Sequence, residues 1–356
     1  MHLAIDVREA SHPRPTGKGI FTRAVLQELQ RRPEITLSAV RCPLSASPLL
    51  WHFSTARNLR QSSPDIYLAP TSFIVPFLVG RRVRTMPIVH DLIAFDHEPH
   101  DRKATIIERL TLPRVLQTAA HVCTVSGATK RDLLERFPFV PEEKVTVVYE
   151  GSTVQTFHVP RTTSNEQRGT RNEKSYILSI GTLCPRKNQL RLIEAYAGLP
   201  ESLRKQTRLL LVGGRGWDDE DIVKLSASTP GVEWLGYLPQ EQVEERLRCA
   251  AVFAYPSLKE GFGLSVLDAL SLGIPTITSD RSSLPEVAGE AALLVDPLSI
   301  QAIRNGLLRL LTEEALRSRL RALGLTQAAT FSWSRTADLL LNACAQAISS
   351  RATKNE

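Results

Sequence analysis

The feature that most constrains this chain is an alternation that runs its whole length and breaks once. Short apolar, β-branched runs occur at 2–7, 36–41, 65–69, 84–90, 121–125 and 145–149, with helix-period stretches at 20–30, 104–118 and 128–136 between several of them. That alternation predicts a parallel sheet with covering helices. Residues 161–174 then offer no apolar side chain that could anchor them to a core, and they read as a linker or mobile loop. A second series follows, with strand candidates at 176–180, 208–212, 232–235, 251–255, 275–278 and 292–295. At 356 residues the chain is also too long for one ordinary core. The expectation is an α/β chain of two doubly wound domains in tandem, 1–160 and 175–333. Two such domains facing each other put a cleft between them, and ligands bind at the carboxyl ends of the strands.

Composition removes several function classes. No window holds the roughly 18–20 consecutive apolar residues of a membrane span. The start, Met1 to Val7, has no charged segment ahead of its short apolar run and reads as a first strand, so a cytoplasmic chain is expected. Five scattered cysteines, Cys42, Cys123, Cys184, Cys249 and Cys344, leave no spacing for a zinc knuckle or a redox pair. Net charge is +7, and residues 1–150 hold 20 Lys/Arg against 15 Asp/Glu, in clusters such as Arg81-Arg82-Val83-Arg84 and Arg57-Asn58-Leu59-Arg60. Such a surface suits anionic lipid headgroups or a phosphate-bearing acceptor, or is simply a solvated face. No nucleic-acid partner is expected.

The strongest chemical signal runs from Tyr255 through Pro256-Ser257-Leu258-Lys259-Glu260-Gly261-Phe262-Gly263-Leu264 to Asp268. A strand ends at Tyr255 and a helix starts near Gly263. The glycines admit a ligand close to the backbone, and the new helix offers free N–H groups at its positive end, which together make a phosphate cradle. Glu260 and Asp268 stand eight residues apart, about 12 Å along a helix. A glycosidase pair needs about 5–9.5 Å, so the two carboxylates suit the ends of an extended ligand better than an acid/base dyad.

A second signal is Ser179-Ile180-Gly181-Thr182-Leu183-Cys184-Pro185-Arg186-Lys187-Asn188, also at a strand end. Arg186 supplies a planar fork for phosphate oxygens and Lys187 a compact charge. Adjacent cations of this kind stabilise the negative charge that develops on a departing nucleoside diphosphate. Gly17 and Gly19, after the first strand, also allow close approach to ligand oxygens. A dinucleotide fingerprint fails there because Thr22 stands where a last glycine belongs. A P-loop fails because no Ser or Thr follows Lys18.

Together these segments resemble glycosyltransferase family 4. The stretch 181–188 is similar to the family's diphosphate-binding segment, and Glu260 through Asp268 to its Glu-x7-Glu element. Leu211-Val212-Gly213-Gly214, Leu235-Gly236-Tyr237, Ser283 through Gly289 and Val295-Asp296-Pro297 follow in the family's order. Thr16-Gly17-Lys18-Gly19-Ile20, Val89-His90-Asp91-Leu92 and Val125-Ser126 resemble its N-terminal segments. Two departures stand out: Asp268 replaces the usual second Glu, and Glu150-Gly151-Ser152 stands where many relatives carry Asn-Gly-Val.

The resemblance implies a GT-B fold, two Rossmann-like domains facing a cleft, with a final helix at about 334–350 crossing back to the first domain. It implies transfer of a sugar from a nucleotide-sugar co-substrate to a glycan or lipid-linked acceptor, with retention and with neither metal nor other cofactor. Arg186, Lys187 and the backbone of Gly263 and Leu264 are then expected at the diphosphate, with Gly181, Gly261 and Phe262 beside it. Glu260 is expected on the sugar, Asp268 on the ribose, Tyr237 and Leu238 near the base, and His90 at a sugar hydroxyl. The segment from Val89 looks most like bacterial mannosyltransferases of surface polysaccharide synthesis, which use GDP-mannose. The acceptor would then place the chain at the inner face of the plasma membrane. The alternatives are a nucleotide-sugar epimerase of the same architecture and a non-catalytic nucleotide-sugar binder.

Overall fold

The computed structural model describes residues 1–12, 16–41, 47–96, 102–154 and 175–349. The expected linker at 161–174 and Cys42 lie outside the described residues. The chain forms two compact units: unit 1 is Met1–Gly151 with Phe331–Glu356, and unit 2 is Ser152–Thr330.

Unit 1 begins with β1 (His2–Asp6), α1 (Gly17–Gln30), β2 (Thr36–Val40), α2 (Pro48–Ser62), β3 (Ile66–Ala69) and α3 (Ile74–Val79). It continues with β4 (Thr85–Val89), α4 (Arg102–Thr118), β5 (Val122–Thr124), α5 (Gly127–Arg136) and β6 (Val145–Val147). The sheet is parallel throughout, in the order β2-β1-β3-β4-β5-β6. β3, β4 and β5 are buried along their whole length, as strands covered on both faces must be, which is why they read as unbroken apolar runs. β2, at the edge, is largely exposed. α5 starts where it does because the Ser126 hydroxyl accepts the Thr129 N–H at 3.0 Å, capping one orphan donor.

Unit 2 runs β7 (Ser175–Ile180), α6 (Gln189–Ala197), α7 (Glu201–Gln206), β8 (Thr207–Val212), α8 (Glu220–Ser228), β9 (Val232–Trp234) and α9 (Gln240–Cys249). It goes on with β10 (Val252–Tyr255), α10 (Leu264–Ser271), β11 (Thr276–Ser279), α11 (Leu284–Ala288), β12 (Leu293–Val295), α12 (Ile300–Thr312) and α13 (Glu314–Ala328). This sheet too is parallel, in the order β12-β11-β10-β7-β8-β9. Its core packs Ile177, Leu209, Leu211, Val252 and Ile277 with Leu192, Ile193 and Tyr196 of α6 and Ile303, Leu307 and Leu310 of α12.

The last helix, α14 (Trp333–Ser349), belongs to unit 1. The Trp333 ring meets Phe21 of α1 edge-on at 5.8 Å, and Arg32 pairs with Asp338 at 2.6 Å. Gly151 lies so close to this helix that a Cβ there would sit 2.5 Å from the Trp333 nitrogen. The two sheets differ in one respect that matters below. In unit 2 the order reverses between β7 and β10, and in unit 1 between β1 and β3. A reversal leaves a crevice at the carboxyl ends of the two strands, where open α/β sheets bind ligands.

Candidate active site

The reversal in unit 2 brings together the loops after β7 and β10, the two segments that carry the strongest sequence signals. The loop after β7 closes as a short 3-10 turn, Pro185–Lys187, ended by Asn188 in a left-handed conformation with φ 61°. Asn188 is buried, and its amide donates to the carbonyls of Pro256 at 2.9 Å and Pro297 at 2.7 Å. It thereby ties the loop after β7 to those after β10 and β12. The Leu258 N–H donates to the Arg186 carbonyl at 2.8 Å, which ties the cation-bearing turn to the loop after β10.

Glu260 is the hub. Its Oε1 lies 2.6 Å from Lys187 Nζ and 2.9 Å from the Arg186 guanidinium. The same oxygen accepts from the Ser257 hydroxyl at 2.6 Å and the Tyr255 hydroxyl at 3.0 Å. Lys187 also donates to the Tyr255 hydroxyl. All these contacts fall on Oε1. Burial alone raises the Glu260 carboxyl, but Lys187 and Arg186 outweigh it and hold it at about 2. Burial lowers Lys187, and nearby Arg186 adds to that, while Glu260 offsets only part. Arg186 Nε is buried and meets no hydrogen-bond partner among the described residues. Two buried cations share one carboxylate, which among the described residues leaves one positive charge uncompensated, and a charge taken out of water without a partner is costly. An anion on this site would relieve that cost.

The depressed Glu260 carboxyl makes a pH prediction. A carboxyl with an ordinary value of 4.5 that titrates at about 2 in the folded state stabilises the fold fully above 4.5 and loses that contribution as pH falls towards 2. The melting-temperature gap between wild type and Glu260→Gln is therefore expected to narrow steadily below pH 4.5 and to stay flat between pH 5 and 7. A gap that does not change with pH contradicts the pairing.

The floor of the site is backbone. Glu260 N–H donates to the Ser282 hydroxyl at 3.1 Å, and Ser282 and Ser283 donate back to the Glu260 carbonyl at 2.6 and 3.0 Å. Gly263, at φ 118°, is the N-cap of α10, and a Cβ there would sit 2.8 Å from a Leu284 methyl. Only glycine fits that conformation without strain. Gly261 and Leu264 are half-buried and Phe262 buried, and α10 starts four residues after Glu260. Across the sheet, the loops after β7, β8 and β9 interlock. Gly213 N–H donates to the Gly236 carbonyl at 2.9 Å, and Gly181 N–H to the Val212 carbonyl at 2.8 Å. A Cβ on Gly213 would sit 2.0 Å from the Gly181 carbonyl oxygen. Tyr237 is half exposed at the rim of these loops, with Leu238 half-buried next to it.

Two of the residues expected to meet ligand already have partners within the chain. Asp268, expected on a ribose, is buried on α10 with its carboxylate taken up nearby. Oδ1 accepts from the Ser152 hydroxyl at 2.8 Å and the Thr153 N–H at 2.7 Å, and Oδ2 from the Thr153 hydroxyl at 2.6 Å. Burial raises its carboxyl in spite of the Thr153 and Ser152 donors. It fastens the first residues of unit 2 to the helix whose start borders Glu260. His90, expected at a sugar hydroxyl, is buried in unit 1. Its Nε2 lies 2.9 Å from the Pro70 carbonyl, which can only accept, so that nitrogen carries the proton. Nδ1 is 3.4 Å from Glu150, and Phe21 meets the ring edge-on. Nε2 is thus engaged by the Pro70 carbonyl, and Nδ1 lies beside the Glu150 carboxylate.

In unit 1, Gly17 and Gly19 lie inside α1, not in a loop, because that helix starts at Gly17, three residues earlier than its apolar period suggests. Gly17 faces open space. The carboxyl end of β1 carries a buried ion pair that no motif marks. There Asp6 is fully buried, and the Arg8 guanidinium grips both its oxygens, at 2.7 and 3.1 Å to Oδ2 and 3.0 Å to Oδ1. Arg8 also lies 4.0 Å over the Trp51 ring. The available signal was the Asp-x-Arg spacing at a strand end, too common to single out.

Residues 19–155 match the family model Glycosyltransferase Family 4, and residues 160–324 match Glycosyl transferases group 1. O-antigen chain mannosyltransferase B of Escherichia coli is 34% identical over 310 residues, 84% of this chain and 79% of that one. The fold is similar to that of sucrose-phosphate synthase from Thermosynechococcus elongatus, with a TM-score of 0.78 at 18% identity, covering 98% of this chain and 99% of that chain. It is also similar to HepE of Anabaena in complex with UDP-glucose, with a TM-score of 0.75 at 17% identity, covering 98% and 100%. The matches follow one another along both units, so the alternatives of an epimerase and a non-catalytic binder give way: the chain belongs to glycosyltransferase family 4 and has the GT-B fold.

Proposed function

We propose that this glycosyltransferase moves mannose from GDP-mannose to a glycan or lipid-linked glycan, in the synthesis of a surface polysaccharide at the cytoplasmic face of the plasma membrane. The observation that carries the donor half is the buried cluster of Arg186, Lys187 and Glu260 with its one uncompensated positive charge. A nucleoside diphosphate is the anion that suits it. The choice of mannose is supported by the 34% identity to an O-antigen chain mannosyltransferase.

In this reading the diphosphate lies on Arg186, Lys187 and the first N–H groups of α10. As the anomeric bond breaks, its electrons go to the diphosphate oxygen and the sugar becomes oxocarbenium-like. The cations and helix start hold the charge that develops on the leaving group. Glu260 Oε2 accepts from sugar hydroxyls and fixes the donor's orientation. The acceptor oxygen attacks from the side the diphosphate leaves and loses its proton to it, so the anomeric configuration is retained. Arg186 and Lys187 perform the neutralisation that a divalent metal performs in other transferases.

Two results test the reading. GDP-mannose is expected to raise the melting temperature more than UDP-glucose at equal concentration, because ligand bound to the native state stabilises it. Mannose transfer is expected to survive EDTA. Stabilisation by UDP-glucose alone would reassign the donor, and activity abolished by EDTA and restored by magnesium would overturn the metal-free mechanism.

A further inference from the structure

Lys187 carries its charge on a long stem, and its stem and its head are held by different means. The stem runs past Gly181, where a Cβ would meet Lys187 Cε, Cδ and Cγ at 3.4, 3.5 and 3.6 Å, ordinary van der Waals contact. The head has three N–H groups. Glu260 Oε1 takes one at 2.6 Å, and the Tyr255 hydroxyl takes a second. A lysine ammonium is a compact point charge with rotatable donors, so a single carboxylate holds it across a range of orientations. A second anchor on another side chain narrows that range and gives the third N–H a set direction. Among the described residues no further hydrogen-bond partner meets this ammonium. Tyr255 suits the part of second anchor because it is rigid. It ends β10 in register with Thr278 of β11, whose hydroxyl donates to the Tyr255 carbonyl at 2.8 Å. Pro256 follows and keeps it extended. Its ring stacks on Phe253, two residues back on the same face, with centroids 5.9 Å apart and planes 17° from parallel. The hydroxyl has one proton, which goes to Glu260 Oε1 at 3.0 Å, so its lone pairs are left for Lys187. Glu260 does not need Tyr255 to be paired, since Arg186 at 2.9 Å and the Ser257 hydroxyl at 2.6 Å meet the same oxygen.

We propose that Tyr255 is a positioning residue for sugar transfer: its hydroxyl, fixed to Glu260, turns the Lys187 ammonium so that the third N–H meets a diphosphate oxygen of the donor as the anomeric bond breaks. The role rests on the reading that the diphosphate lies on Lys187, and Tyr255 acts through that lysine. A donor aimed beforehand needs no reorganisation when charge develops on the leaving group, so its direction counts as well as its charge. The Tyr255 hydroxyl also favours the charged form of Lys187 by accepting from it. The other groups that face the ammonium divide. Burial, the largest influence, lowers it from its ordinary value, Glu260 opposes that, Arg186 adds to it, and Cys184 opposes it. Removing the hydroxyl therefore lowers it further.

Kinetics of Tyr255→Phe with GDP-mannose, followed as released GDP, test it. The substitution keeps the ring on Phe253 and removes the hydroxyl alone, so the melting temperature is expected to stay close to wild type. Turnover is expected to fall about 10-fold, the scale of one hydrogen bond to a charged group. The alkaline limb of the turnover profile is expected to move to lower pH, because an ammonium that has lost an acceptor gives up its proton earlier. A merely structural tyrosine would not move that limb. The double variant isolates the route of action: with Lys187→Met already in place, Tyr255→Phe is expected to cost no further turnover. That comparison decides even if Tyr255→Phe melts below wild type. Wild-type turnover in Tyr255→Phe, an alkaline limb that stays where it was, or a loss that multiplies with that of Lys187→Met would each overturn the proposal. The two readings fail differently. Normal turnover in Lys187→Met alone would remove the donor reading and the role of Tyr255 with it, whereas lost turnover there beside normal turnover in Tyr255→Phe would remove the role of Tyr255 only.

Discussion

Lys187→Met is expected to lower turnover by about 100-fold or more, the scale for removing one group that stabilises developing charge, and to leave stability unchanged or slightly higher. The two expectations have one cause. Lys187 is the second cation on a carboxylate that Arg186 already compensates, and burial makes its charge costly in the absence of ligand. Replacing it with an apolar chain of similar length keeps the packing and removes the uncompensated charge. Function and stability therefore pull in opposite directions at this residue. Steady-state kinetics beside thermal melts check both. Near-normal turnover, or a large fall in melting temperature, contradicts the assignment. Glu260→Ala is expected to behave otherwise, because it leaves two buried cations without a partner, and breaking a buried pair costs about 3–5 kcal/mol.

Asp268→Ala is expected to destabilise the fold by about 2–4 kcal/mol, because it leaves two hydroxyls and one backbone N–H of Ser152 and Thr153 without their buried acceptor. Asp268→Glu is not a neutral exchange either, although family relatives usually carry Glu there. The acceptors would be displaced by a methylene in a packed site, at about 1–3 kcal/mol. Asp268→Asn retains the shape and one acceptor and should fall between wild type and Asp268→Ala. Denaturant unfolding of the three variants gives the order. If Asp268→Ala is as stable as wild type and loses nucleotide affinity instead, the carboxylate belongs on the ribose.

Much of this was legible before any coordinates. The β-branched runs fixed both parallel sheets, because strands covered on both faces must be apolar from end to end. Pairing Arg186-Lys187 with Glu260 was legible as chemistry, since both segments sit at strand ends. Their meeting on one carboxylate oxygen was not legible, because it depends on strand order: β7 and β10 are neighbours only where the sheet reverses. The supports Tyr255, Ser257 and Asn188 lie inside the segments 179–188 and 255–268, yet nothing in their spacing tells that they hold the loops. The two departures from the family were visible singly. That Ser152 and Asp268 are one feature emerges only when residues 116 positions apart touch. His90 is a further case. A histidine at a strand end looked like a ligand group, and nothing in its spacing told that its Nε2 meets the Pro70 carbonyl. The start of α1 was misplaced because glycines and a lysine hide the first turn of a helix from an apolar period.

The central claim is that the cation pair of unit 2 receives the diphosphate of a nucleotide sugar, and calorimetry with GDP in the presence of EDTA tests it most directly. The wild type should bind, and Arg186→Ala and Lys187→Ala should each bind about 10- to 100-fold more weakly, the scale of a hydrogen bond to a charged group. GDP bound by both variants as tightly as by the wild type would contradict the account.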